Sequence, residues 1–273
     1  MSGILYLVAT PIGNLSDITL RAIEVLKEVD IIAAEDTRHT LKLLNHLNIS
    51  KPMISYYRHN EEVKSEKLIE KLLNGNNIAL VSDAGTPGIC DPGEEFVKKA
   101  IENEIKIVPI PGACALINAL IISGISSKEF VFLGFLPTNK KLRNNKLKEI
   151  EKENKTIIMY EAPHKLNNTL TDLEKILKNR KIALVKEITK IHEQVIRGTA
   201  KELIDIIDNP KGEFVIIVEP NNEVEKINFE NYTVEEHYQY YENEGLEKKD
   251  IIKKIAKDRG VNKNEIYMKF LNK

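Results

Sequence analysis

Residues 82–93 read Ser-Asp-Ala-Gly-Thr-Pro-Gly-Ile-Cys-Asp-Pro-Gly, with three glycines (Gly85, Gly88, Gly93) and two prolines (Pro87, Pro92). Glycine lets the backbone take positive φ and approach a ligand closely, and proline fixes φ and removes a donor. The run follows Asn77-Ile78-Ala79-Leu80-Val81, an apolar stretch with the pattern of a buried strand. A Gly/Pro-rich loop at the carboxyl end of such a strand is where open α/β sheets bind ligands. Plain strand–helix connections take about 2–6 residues, so a loop of this length favours a ligand over a simple link. For Asp83 the alternatives are a ligand contact and a turn or helix cap.

Two further strand ends carry the same punctuation. Gly3–Val8 leads into Ala9-Thr10-Pro11-Ile12-Gly13-Asn14, and Ile105–Ile110 leads into Pro111-Gly112-Ala113-Cys114-Ala115. Three such loops point to one shared pocket. None fits the G-x-G-x-x-G or the G-x-x-x-x-G-K-[ST] pattern, which argues against a Rossmann dinucleotide site and a triphosphate P-loop.

The elements that must position these loops alternate between strand and helix. In the first half, strands are expected at 3–8, 31–34, 53–56, 77–81 and 105–110, and helices at 37–47, 61–74, 94–103 and 113–123. Ser16 or Asp17 is available to cap a helix after the first loop. This order predicts a mostly parallel sheet. Ser123-Gly124-Ile125-Ser126-Ser127 reads as a linker. A second α/β unit follows, with strands expected at 130–134, 156–160, 182–186, 193–198 and 213–218. Its helices are expected at 141–153, 163–177 and 199–208, with Pro163 in a first turn and Thr199–Glu202 as a capping box. Residues 221–230 turn polar and acidic and read as a second linker. The tail, from Thr233, reads as helices, two of them flanking Arg259-Gly260-Val261 in the manner of a helix-turn-helix. The expected domains are therefore 1–123, 124–222 and 232–273.

Composition narrows the function classes. The 273 residues are 42% hydrophobic with a formal net charge of −1, as in a globular enzyme without a global basic signal for nucleic acid. Residues 246–273 are locally basic, with nine Lys/Arg against four Asp/Glu, which suits either an RNA contact or a solvated helical face. A second basic run, Lys140, Lys141, Arg143, Lys146 and Lys148, leaves the same pair of readings open. The two cysteines, Cys90 and Cys114, lack metal-ligand spacing, and reduced thiols of a cytoplasmic protein are the expectation. No signal peptide and no membrane span is expected.

The loops, taken together and in order, resemble the tetrapyrrole methylase family, the class III methyltransferases. The similarity is carried by Ala9–Leu15, Ala33-Ala34-Glu35-Asp36-Thr37-Arg38, Val81–Gly88, Pro109–Gly112, Gly134-Phe135-Leu136-Pro137, Tyr160-Glu161-Ala162-Pro163-His164-Lys165 and Lys211-Gly212-Glu213. Within the family it is similar to the branch that methylates a ribose 2′-hydroxyl in small-subunit ribosomal RNA. That branch often has Ser and Arg where Ala162 and Lys165 stand.

The resemblance implies two α/β domains with S-adenosylmethionine in the cleft between them, and a homodimer. It implies 2′-O-methylation of cytidine 1402 of 16S rRNA, with the 30S subunit as the expected partner. It places Ile12, Asp83, Ala84, Gly85, Thr86, Cys114 and Ala115 along the cofactor, and Tyr160, Lys186 and Val218 on the adenine side. A ribose 2′-hydroxyl is a poor nucleophile and needs a base or an acceptor in line with the methyl group. Glu35, Asp36 and Arg38 are the candidate catalytic group, with helix capping and a surface ion pair as the alternative. His59, Glu161, His164 and Lys165 are candidate substrate contacts. The chemistry requires no metal, and no ligand spacing suggests one. The competing reading within the same fold is a precorrin-type tetrapyrrole methyltransferase. A competing reading from another class is a ribosome-assembly factor without activity.

Overall fold

A computed structural model describes residues 2–221, 229 and 232–271. The chain divides into two compact units, 1–221 and 222–273.

The larger unit begins with β1 (Leu5–Val8), α1 (Leu20–Glu28), β2 (Ile31–Ala34), α2 (Thr37–His46), β3 (Met53–Ser55) and α3 (Glu61–Leu73). Then come β4 (Ile78–Val81), α4 (Glu94–Glu102), β5 (Ile107–Ile110) and α5 (Ala115–Ser123). The five strands form one parallel sheet in the order β3-β2-β4-β1-β5. β2 and β4 are buried at every residue, as expected of parallel strands covered on both faces. Strand alternation sorts their side chains. Ala33, Ile78 and Leu80 pack with Leu68, Leu72 and Phe96 of α3 and α4. Ile32, Ala34, Ala79 and Val81 pack with Ala22, Leu26 and Leu44 of α1 and α2.

The helix after the first loop is capped by Thr19, whose Oγ1 accepts from Ala22 N at 3.1 Å. Ser16 and Asp17, the expected caps, instead sit inside a short 3-10 turn (Leu15–Asp17) capped by Asn14. The turn lengthens the loop, which moves the start of α1 past both.

The second half of this unit holds β6 (Phe130–Phe135), α6 (Lys140–Lys152), β7 (Thr156–Glu161), α7 (Pro163–Leu177) and β8 (Ile182–Lys186). It ends with β9 (Gln194–Gly198), α8 (Ala200–Ile206) and β10 (Phe214–Val218). The sheet order is β6-β7-β10-β8-β9. Only β6 and β7 pair in parallel, and the other neighbours are antiparallel. β8 and β9 are joined without a helix, and a short connection can only make an antiparallel pair. β10 then inserts between β7 and β8, running against both.

α5 is the bridge between the two sheets. Its Leu116, Ala119 and Leu120 are buried against Ile158, Ala183, Val185, Val215 and Ile217 of the second sheet. The opposite face of that sheet packs Met159, Leu184 and Ile216 against Leu166 and Leu170 of α7 and Leu203 of α8. Both ends of α5 are held from the second sheet. Leu116 N donates to Tyr160 Oη at 3.2 Å. Arg197 of β9 donates to the last carbonyls, Nε to Ser123 O at 2.8 Å and Nη2 to Ile122 O at 2.5 Å. A cation there satisfies orphan carbonyls and favours the negative end of the helix.

The smaller unit contains α9 (Val234–Asn243), α10 (Lys248–Arg259) and α11 (Lys263–Leu271) around Val234, Tyr241, Ile251, Ile255 and Ile266. Thr233 and Glu236 form the capping box of α9. Gly260, at φ +63°, ends α10 in the left-handed conformation. The linker expected at 221–230 lies outside the described residues apart from Asn221 and Phe229. The last two residues of the expected tail, 272–273, also lie outside them.

The bridge generates a stability prediction. Leu120 is 3% exposed at the seam. Leu120→Ala should lower unfolding stability by about 2–5 kcal/mol, the cost of a large-to-small change in a packed core. A urea titration followed by circular dichroism measures it.

Candidate active site

The three Gly/Pro loops close on one another through main-chain and hydroxyl contacts. Thr10 and Gly85 exchange backbone hydrogen bonds at 2.9 and 3.0 Å, joining the first loop to the second. Thr86 Oγ1 donates to Ala113 O at 3.2 Å, joining the second to the third. Gly85 has φ +88°, and a Cβ there would stand 3.2 Å from Ile12 Cγ2. A side chain at this position would be strained and would crowd the point where the loops meet.

Between these loops and the second sheet lies a cavity of about 420 Å³, within the size range of small-molecule sites. Asp83, Ala84, Gly85, Thr86, Cys114 and Ala115 line one side, with Ile12 from the first loop. Tyr160, Val185, Ile188 and Val215 line the other. Eight of the ten expected cofactor contacts therefore share one space: Ile12, Asp83, Ala84, Gly85, Thr86, Cys114, Ala115 and Tyr160.

Lys186 and Val218 do not line it. Lys186 follows Val185 on β8, and strand alternation turns it from the face that Val185 presents. Val218 lies at the far end of β10. That strand runs antiparallel to β7, so Phe214, not Val218, pairs with Glu161 beside the cavity. The strand end nearest the cavity is thus the amino end, with Glu213, Phe214 and Val215 on the wall.

Three carboxylates gather on the polar side: Glu35, Asp83 and Asp91. Burial pushes Asp91 up to about 6, aided by the nearby charge of Asp83 and opposed by a Ser82 hydrogen bond and by Arg58. Burial also raises Glu35, with Asp91 and Asp83 adding to the rise and Arg58 opposing it. Asp83 Oδ1 accepts from Asp36 N at 3.0 Å. Arg58 Nη2 donates to Cys90 O at 2.9 Å, which holds the guanidinium near these acids.

Of the expected catalytic group, only Glu35 reaches the cavity. Asp36 caps α2, its Oδ1 accepting from Arg38 N at 2.8 Å. The Arg38 fork also grips it, Nε to Oδ1 at 3.1 Å and Nη2 to Oδ2 at 2.7 Å. These bonds hold the Asp36 carboxyl well below the usual carboxylate range. The Arg38 side chain is 88% exposed. The cap and the surface ion pair, the alternative reading for Asp36 and Arg38, are what the local sequence forms.

Among the expected substrate contacts, Glu161 lines the cavity and is buried. Its carboxylate accepts from Thr169 Oγ1 at 2.5 Å and from Ala162 N at 2.9 Å. Arg143 Nη2 donates to the same Thr169 hydroxyl at 2.9 Å. These bonds give Glu161 a framework role at the start of α7. His59 lines a neighbouring groove with Tyr57 and Arg58. His164 and Lys165 lie in the first turn of α7 and do not reach either space. Asp91, Arg58 and Phe135 belong to the site although the sequence reading assigned them no role. Asp91 was visible inside the Gly/Pro run, eight residues after Asp83; Arg58 carries no local signal and is delivered by the turn after β3. Among the described residues, no group of three or more His, Cys, Asp and Glu could hold a metal ion, and no helix is long and apolar enough to cross a membrane.

Strand-end loops of an open parallel sheet joined to a mixed second sheet define a class. Residues 4–204 match the family described as Tetrapyrrole (Corrin/Porphyrin) Methylases, and the chain belongs to that family. It is 48% identical to the Ribosomal RNA small subunit methyltransferase I of Halalkalibacterium halodurans, over 97% of this chain and 93% of that protein. It is 49% identical to the protein of the same name from Bacillus subtilis, again over 97% and 93%. Among solved structures, a diphthine synthase superposes with a TM-score of 0.65 at 17% identity, covering 80% of this chain and 90% of that one. A uroporphyrin-III C-methyltransferase from Thermus thermophilus, complexed with S-adenosylhomocysteine, superposes at 0.57 with 15% identity, covering 79% and 97%. At these identities the two structures attest the fold.

The raised acid gives a pH prediction. Asp91 rises from the ordinary aspartate value of 3.8 to about 6. The folded state therefore holds this proton more tightly than the unfolded chain, and stability falls as pH climbs from about 4 through 6. Asp91→Asn, which keeps an acceptor for Ser82, should raise stability relative to the wild type at pH 8 and change it little at pH 4. Urea midpoints at the two pH values test this, and an equal effect at both would contradict the assignment.

Proposed function

We propose that this chain is an S-adenosylmethionine-dependent methyltransferase acting on the 2′-hydroxyl of cytidine 1402 in 16S rRNA, within the 30S subunit. The observation that carries the proposal is the single cavity formed by three Gly/Pro strand ends and the apolar face of the second sheet, with Glu35 on its wall. Its residues fit the donor. Backbone is bared at Gly85, where a Cβ would crowd Ile12, so an amino-acid end can lie against main chain. Ile12, Val185, Ile188 and Val215 offer an apolar bed for a ring and keep water out. The similarity to small-subunit rRNA methyltransferases over nearly the whole chain supports the acceptor.

S-adenosylmethionine supplies a methyl group on a sulfonium leaving group. The protein then has to position, desolvate and take up a proton. Glu35 accepts the proton that the 2′-hydroxyl loses as its oxygen takes the methyl group. Burial beside two other carboxylates makes Glu35 a better base than an exposed glutamate. Arg58 offsets the gathered negative charge. His59, His164 and Lys165 stand outside the cavity, where RNA backbone contacts form. Ile117 and Ile121, exposed on the outer face of α5, suit burial in a homodimer. Such a substrate is met in the cytoplasm.

The test uses purified protein, tritiated S-adenosylmethionine and 30S subunits lacking this modification. Label confined to one cytidine ribose of 16S rRNA is expected. Glu35→Gln should lower kcat about 10²- to 10⁴-fold, the usual worth of a general base, with donor affinity unchanged. RNA without label, alongside a methylated precorrin, would assign the chain to the tetrapyrrole acceptors instead.

A further inference from the structure

Glu35, Cys90 and Phe135 face two spaces at once. They line the donor cavity and also one side of a second groove of about 600 Å³. Tyr57, Arg58 and His59, from the turn after β3, line the rest of this groove with Pro92 and Leu133.

The chain builds the shared wall with a local irregularity. β6 loses register with β7 between Phe132 and Phe135. Gly134 within this break has φ +61°. A left-handed residue in a strand marks a bulge, which bends the strand and re-aims the following side chain. A Cβ on Gly134 would stand 3.0 Å from Cys90 Sγ, so a larger residue would crowd that wall. Phe135 is left 54% exposed, with its ring edge-on to Tyr160 at 5.7 Å. Tyr57 is 43% exposed, and its turn is fixed by Tyr57 N donating to Asn60 Oδ1 at 2.9 Å.

Two exposed rings, a guanidinium and an imidazole thus meet at a groove whose inner wall carries a half-buried carboxylate. Exposed rings stack on unpaired bases, because every base has a π face, and cations beside them contact phosphate. We propose that this groove holds the acceptor nucleotide, unstacked from its strand. Its base lies against Tyr57 and Phe135, its phosphate near Arg58 and His59, and its ribose over Glu35 toward the donor cavity. This assignment rests on the RNA reading above.

Tyr57→Leu and Phe135→Leu keep apolar bulk and remove the rings. With undermethylated 30S subunits, each variant is expected to raise KM about 5- to 100-fold, the range for lost base stacking. For Tyr57→Leu, at a ring that lines the groove and not the donor cavity, donor binding, measured by equilibrium dialysis of tritiated S-adenosylmethionine, should stay at the wild-type value. Phe135→Tyr, which restores a ring, should return KM toward wild type. A wild-type KM in both leucine variants overturns the groove assignment while a labelled 16S rRNA leaves the RNA reading standing. Loss of donor binding by Tyr57→Leu in step with its rise in KM also overturns it, since that ring would then serve the donor cavity. A wild-type protein that labels no RNA overturns both readings together.

Discussion

The site depends on α5 being held against a sheet that it does not belong to. This helix continues directly from the third Gly/Pro loop, so its seat sets where Cys114 and Ala115 stand. Its apolar face is buried on β7, β8 and β10, and the hydrophobic effect supplies most of the attachment. Apolar burial has no direction, however, and would allow the helix to slide. The polar clips at the two ends remove that freedom: Tyr160 Oη accepts at one end and Arg197 donates at the other. Tyr160 therefore does two things. It anchors the helix, and its ring forms part of the cavity wall against which Phe135 rests.

The same architecture sets the electrostatics. Parallel strands β2 and β4 end side by side, so the acids that follow them, Glu35 and Asp83, emerge as neighbours. The long loop after β4 then brings Asp91 back to the same place. Burial and the neighbouring negative charges raise the proton affinity of Glu35 and Asp91, and the fold offsets part of that cost with the Arg58 charge. Natural folds retain such arrangements where chemistry needs a poised carboxylate. Asp36, one residue from Glu35, has the opposite fate, because a helix N-terminus and an arginine fork both favour its charged form.

Much of this was legible in the sequence, for identifiable reasons. β2 and β8 begin and end at the expected residues, because each is a short apolar run with clear breaks. The loop residues that converge on the cavity were visible because Gly and Pro mark backbone geometry directly. Direction was not legible for β10. Its sequence, Phe-Val-Ile-Ile-Val, suits a parallel or an antiparallel neighbour equally, and the antiparallel course is what puts Phe214 and Val215 on the cavity wall. Capping residues carry a second ambiguity. Asp36 and Arg38 have the right types for catalysis, but short-range bonds to their own helix capture them. Arg58 and Phe135 went unassigned because their roles arise from a turn and a bulge, which bring together residues distant in sequence.

The central claim is that one cavity, shared by the strand-end loops and the second sheet, holds the methyl donor. Amide hydrogen exchange with and without S-adenosylhomocysteine tests it most directly. The account predicts slowed exchange in peptides covering 83–86, 113–116 and 213–215 together, because the cavity draws on both sheets. Binding that leaves all three unchanged, or protects only segments remote from them, would contradict it.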